Sequence, residues 1–114
     1  NTPAQENPVK VSDETLLEGM KLYSSNCAGC HGDRNGVSEF GRSFYPPTPQ
    51  FTSGKVPHDP DAILHTQIAR GTRMTGMPAY GKMLQDEEIW KLVSFIKKLN
   101  DLPPAVAEVW KKGP

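Results

Sequence analysis

Long apolar runs are missing from this sequence. No stretch of about 18 or more apolar residues occurs, so no segment is built to cross a bilayer as a helix. Net charge is missing as well, since 13 basic residues balance 13 acidic ones. A neutral chain lacks the basic footprint of a nucleic-acid binder, which argues against DNA or RNA as a partner. The N-terminus, Asn1-Thr2-Pro3-Ala4-Gln5, has no basic region followed by an apolar one and does not read as a signal peptide. Internal repeats are absent, and 114 residues suit one small domain. Only 36% of the residues are hydrophobic, against 11 prolines and 10 glycines. A domain this small and this loop-rich gains from a staple beyond its own core.

Cysteine is scarce too, but both residues fall in one stretch, Cys27-Ala28-Gly29-Cys30-His31. This C-x-x-C-H spacing is the pattern for covalent attachment of a c-type haem. Each thiol can add to one porphyrin vinyl group, and the histidine that follows Cys30 comes under the ring as a proximal iron ligand. A haem held this way would be the missing staple, with a large flat apolar face for the chain to wrap. Other uses of the cysteines fit less well. A thioredoxin-like C-x-x-C needs a preceding strand, and here an amphipathic helix precedes it. Zinc would need four ligands; Cys27, Cys30, His58 and His65 could supply them, but the histidines are seven apart, outside the usual gap of about three to five. A plain disulfide leaves the adjacent His31 unexplained.

Residues 1–11 carry Pro3 and Pro8 and read as a flexible lead-in. Ser12 is a good N-cap, with Asp13 and Glu14 in the first turn. Leu16, Leu17, Met20 and Tyr23 then recur at helical spacing, so a first helix is expected to run to about Ser24. Gly19 inside it calls for a close-packed neighbour. Residues 32–57, with Pro46, Pro47, Pro49 and Pro57, read as a long loop, which is unusual in a small domain unless it wraps something. A proline carbonyl there could accept the His31 Nδ1–H and fix the ring. A second helix is expected from an Asp59 N-cap with Pro60 at its first position, ending at Gly71. A glycine-punctuated loop, 72–81, leads to a third helix opening at Asp86-Glu87-Glu88 and ending near Asn100, with a wide apolar stripe. After Pro103-Pro104, Val106, Val109 and Trp110 suit a short helix that packs back on the domain or docks on a neighbour.

An iron held by His31 leaves its other face to be assigned, to a methionine, to a histidine or to an open site. The candidates are Met20, Met74, Met77, Met83, His58 and His65. Methionine is by default a core residue, but Met77 sits between Gly76 and Pro78 in a loop, 46 residues beyond His31 and able to reach round. His58 and His65 read as surface or satisfied core histidines. Imidazole and thioether together raise the haem potential. Two protein ligands leave no vacant iron position, which points towards electron transfer and away from catalysis.

Three segments together resemble the class I monohaem c-type cytochromes of the small bacterial type. They are Gly19-x-x-x-Tyr23-x-x-x-Cys27-x-x-Cys30-His31-Gly32, Thr75-Gly76-Met77-Pro78-Ala79-Tyr80-Gly81, and the helix from Glu88 to Leu99. The resemblance covers roughly residues 13–101. It implies an all-α cytochrome c fold in which the first and last helices cross, with Gly19 and Tyr23 facing Leu92 and Phe95, and loops wrapping one covalently bound haem. The lead-in would be 1–11, the cytochrome c domain 12–102 and the tail 103–114. Cys27 and Cys30 carry over as thioethers, His31 as proximal and Met77 as distal ligand of the haem c iron. The expected activity is that of a soluble electron carrier, or of the haem domain of a larger electron-transfer chain, working between redox partner proteins and not as an enzyme. The alternative is a haem sensor or enzyme subunit whose distal ligand can be displaced. Export to the periplasm, with a leader already removed, is implied because such haem attachment is completed outside the cytoplasm. Residues 34–82 hold six basic residues against three acidic ones, an excess that could steer an acidic partner.

Overall fold

Two helices meet at Gly19. In the computed structural model, which describes residues 6–71 and 75–113, helix α1 (Asp13–Asn26) lies against helix α5 (Asp86–Lys98). A Cβ built on Gly19 would run into the Lys91 carbonyl oxygen and come within 2.9 Å of the Phe95 Cβ. No side chain fits there, so glycine is what lets the two backbones approach. Leu16, Met20 and Tyr23 bury the same face of α1 against Leu92, Val93 and Phe95 of α5. The expected contact therefore forms, with Lys91 as well as Phe95 opposite Gly19. Lys91 Nζ reaches Glu18 at 2.6 Å and Glu87 at 3.3 Å across the edge of this contact.

α1 is capped as its sequence suggests. The Ser12 hydroxyl accepts from the Thr15 amide, and the Thr15 hydroxyl accepts from the Ser12 amide. The helix runs two residues past Ser24, straight into a short helix α2 (Ala28–His31), with Cys27 as the shared cap residue. In the lead-in, the Asn7 amide donates to the Trp90 carbonyl and the Ser94 hydroxyl of α5; residues 1–5 lie outside the described residues.

The stretch 32–57 is not structureless. Ser38 caps a turn of helix, α3 (Glu39–Arg42), by accepting from the Gly41 amide, and Phe51–Ser53 forms a 3-10 turn. The second long helix, α4 (Asp61–Arg70), begins one residue later than expected. Pro60 has ψ 150°, outside the helical region, and so serves as the cap residue in place of Asp59. α4 packs on α5 and is tied to it by Lys97 Nζ to Asp61 at 2.6 Å. α5 ends at Lys98 with Leu99 as its cap, one residue before Asn100. The tail forms α6 (Pro104–Lys112) and folds back on α1. Val106 is fully buried, and the Trp110 ring lies 6.1 Å from Tyr23 and 5.5 Å from Phe95. Among the described residues there is no strand, and no helix is long and apolar enough to cross a membrane.

Candidate haem site

The junction of α1 and α2 carries the C-x-x-C-H stretch. The Cys27 amide donates to the Tyr23 carbonyl at 2.8 Å, and the His31 amide to the Cys27 carbonyl at 2.9 Å, so the turn is continuous with the first helix. The Tyr23 hydroxyl donates to the Gly32 carbonyl at 2.6 Å and locks the far end of the turn to α1. Burial first, and the neighbouring Cys27 and Asp33 charges after it, hold the Tyr23 hydroxyl well above the ordinary tyrosine range.

His31 is fixed on two sides. Its Nδ1 lies 2.7 Å from the Pro49 carbonyl, so Nδ1 carries the hydrogen and Nε2 is left for another partner. The proline segment thus supplies the acceptor expected of it, and the structure names the residue. The Phe51 ring lies flat on the imidazole, centroids 4.1 Å apart and planes 7° apart. Burial lowers the His31 pKa, partly offset by the Pro49 bond, and this favours the neutral imidazole that a metal requires.

Cys27, Cys30 and His31 line one cavity of about 500 Å³ together with Met77. Its walls are mostly apolar: Leu64 and Ile68 from α4, Ile96 from α5, Phe44 and the prolines 46, 47 and 49 from the loop. That is the scale of a cofactor pocket, typically some 300–1,000 Å³. The methionine loop is held from α4. The Tyr80 and Gly81 amides donate to the Ile68 and Ala69 carbonyls at 2.9 Å, and the Tyr80 hydroxyl donates to the Asn26 carbonyl at 2.8 Å. Tyr80 titrates above its ordinary range through burial first, then through Cys27 and Cys30.

The other candidate ligands among the described residues lie elsewhere. Met20 is buried in the α1–α5 core, Met83 is exposed and His58 is exposed. His65 Nε2 bonds Asp86 Oδ1 at 2.7 Å, and its ring stacks on Trp90 at 4.1 Å, so it cannot join a zinc site with Cys27 and Cys30. Met74 falls outside the described residues. The two thiols form no disulfide with each other. The Cys27 thiol is pushed up to about 12, by burial first and then by Cys30. A thiol held protonated in this way is a poor thiolate nucleophile, which weighs against a redox C-x-x-C. A second recess, of about 520 Å³ along Pro8–Val9 and Trp90, contains none of the candidate ligands.

Sequence reasoning passed over Gln50. It is buried, accepts from the Ser38 amide at 2.6 Å, and donates to the Cys30 and Thr48 carbonyls at 2.8 and 2.9 Å. A glutamine at the end of a proline-rich stretch, where backbone donors are few, is the signal that would have marked it.

Two thiols, a neutral imidazole whose Nδ1 is already bonded and a thioether around one apolar cavity fit a haem, and on a helical fold they are the donor set of a c-type cytochrome. The chain belongs to the family described as cytochrome c oxidase, cbb3-type, subunit III, a family of c-type cytochromes whose pattern matches residues 14–96. Membership implies covalently bound haem c with iron and a part in electron transfer, and proteins of this class are typically exported. Among solved structures seven chains match. One is from the reducing HAO-like protein complex of Kuenenia stuttgartiensis, 24% identical with TM-score 0.67. The match covers 85% of this chain and 50% of that one, so this chain spans half the length of that relative. No curated protein matches.

Proposed function

We propose that this chain carries single electrons between redox proteins on one haem c, joined through Cys27 and Cys30 and ligated by His31 and Met77. The observation that carries this reading is the convergence of all four side chains on one apolar cavity, from segments 46 residues apart. Bound there, haem c supplies a reversible one-electron couple, which a thioether ligand biases towards the reduced form. His31 would offer Nε2 to the iron while the Pro49 carbonyl and the Phe51 ring hold its orientation. Leu64, Ile68 and Ile96 would exclude water from the cofactor faces and keep the couple in a low-dielectric setting. With His31 and Met77 both holding the iron, the site would be a carrier and not an enzyme.

The partner would present an acidic rim. Lys55 lines the cavity, and residues 34–82 hold the basic excess; opposite charge speeds encounter more than it adds affinity. The periplasm, or an equivalent space outside the cytoplasm, is where such a carrier would work. The test is optical. The purified protein is expected to give a c-type pyridine haemochrome and, when ferric, the long-wavelength charge-transfer band of methionine ligation. That band should be unmoved by modest cyanide. A band lost at once on adding cyanide would favour a sensor or enzyme subunit with a displaceable distal ligand.

A further inference from the structure

Residues 46, 47 and 49 are proline, so the segment that carries the Pro49 carbonyl has almost no amide hydrogens with which to tie itself down. Among the described residues, its one backbone-to-backbone tie is the Thr48 amide to the Gly41 carbonyl at 3.0 Å. The next anchor is a side chain. Gln50 follows Pro49 directly, and the peptide that joins them owns the carbonyl to which His31 Nδ1 donates. Its amide is fully directed: the oxygen accepts from Ser38 N, and the nitrogen donates to Cys30 O and Thr48 O. Only one orientation of the amide satisfies one donor and two acceptors at once, which fixes the group by its partners. One buried side chain therefore joins the C-x-x-C-H turn, the cap of α3 and the proline segment.

We propose that Gln50 is a positioning residue for His31, holding the Pro49 carbonyl at hydrogen-bonding distance and thereby setting how strongly the imidazole donates to iron. This rests on His31 being the proximal ligand. A carbonyl held against Nδ1–H makes the ring a more basic donor, and a more basic donor favours the oxidised iron. Releasing the carbonyl weakens that push and raises the potential. Leucine at this position keeps the volume of the side chain but none of its hydrogen bonds. Glutamate keeps the acceptor for Ser38 and, ionised, loses both donors.

The experiment uses the haem-loaded full chain. In the ferrous protein, proton NMR follows exchange of the His31 Nδ1–H, and a redox titration gives the potential. Gln50→Leu, which adds no charge, is expected to raise the potential, and Gln50→Leu and Gln50→Glu are each expected to speed Nδ1–H exchange about tenfold or more, the equivalent of one to two lost hydrogen bonds. Val106→Ala, in the buried tail contact and not among the residues that line the cavity, is the control: it should lower stability and leave both readouts at the wild-type value. If Gln50→Leu behaves like Val106→Ala, Gln50 is structural only and the proposal falls. Should both Gln50 variants fail to fold, the wild-type protein decides. The Gln50 side-chain hydrogens and the His31 Nδ1–H are expected to exchange through one opening, at rates within about tenfold; much faster exchange at His31 overturns the link. A wild-type spectrum without imidazole ligation removes the ligation reading itself and this proposal with it, and that result is in hand before any variant is made.

Discussion

Gly71 sits directly against Met77. Its φ is +76°, and a Cβ built on it would lie 2.9 Å from the Met77 carbonyl oxygen and 3.1 Å from the Ala79 amide nitrogen. The end of α4 and the methionine loop are thus packed backbone to backbone, with the Tyr80 and Gly81 amides bonded to the last turn of the helix. This contact is one of those that hold the Met77 backbone beside the cavity, with the Met77 amide also donating to the Thr75 hydroxyl at 3.2 Å.

Gly71→Ala should therefore disturb the methionine before it disturbs the fold. The left-handed φ and the clash together cost about 1–3 kcal/mol. The charge-transfer band of the ferric protein should be lost at lower denaturant than the helical circular dichroism. Coincident loss of the two signals, at the wild-type midpoint, would contradict the role given to Gly71.

Gly19→Ala should act on the fold as a whole. The added methyl meets the Lys91 carbonyl and the Phe95 Cβ, and neither can move without shifting α5. A loss of about 1–3 kcal/mol is expected from denaturant titration, with the haem spectrum unchanged until unfolding.

Tyr23 links stability to alkaline pH. Its folded-state pKa is raised, so the neutral phenol is the form the fold prefers. The stabilisation is complete below the ordinary tyrosine value of about 10 and is lost as pH rises beyond it. Tyr23→Phe should cost about 1–3 kcal/mol at neutral pH, because the Gly32 carbonyl loses its donor. The same variant should show a shallower fall in stability above about pH 10. Denaturant midpoints measured from pH 7 to 11 test both; equal slopes in the two proteins would count against it.

Trp110→Ala should free the tail from the α1–α5 contact. The ring touches Tyr23 and Phe95 but is only partly buried, so about 1–3 kcal/mol is expected. Hydrogen exchange in α6 should accelerate while exchange in α4 stays slow.

Much of this arrangement was legible in the sequence. The helical spacing of Leu16, Met20 and Tyr23, the misplaced Gly19 and the acidic opening of α5 each have a local cause, and the structure contains the elements they foretell. The candidate haem residues were legible because C-x-x-C-H and a methionine between glycine and proline are spacings with direct chemical meaning. What was hidden depends on tertiary partners. Ser38 caps α3, a turn too short to show periodicity. Choosing Pro49 among four prolines required knowing the path of the loop. Gln50 is an unremarked polar residue in sequence, and its partners, carbonyls 2 and 20 residues away and an amide 12 residues away, are visible only in the fold.

The most direct measurement is the spectrum of the purified ferric protein beside its Met77→Ala variant. Wild type should show a c-type haemochrome with the methionine charge-transfer band, and the variant should keep the haem, lose the band and fall in potential. A colourless wild type, or a band that survives in Met77→Ala, would contradict the assignment of His31 and Met77 to one iron.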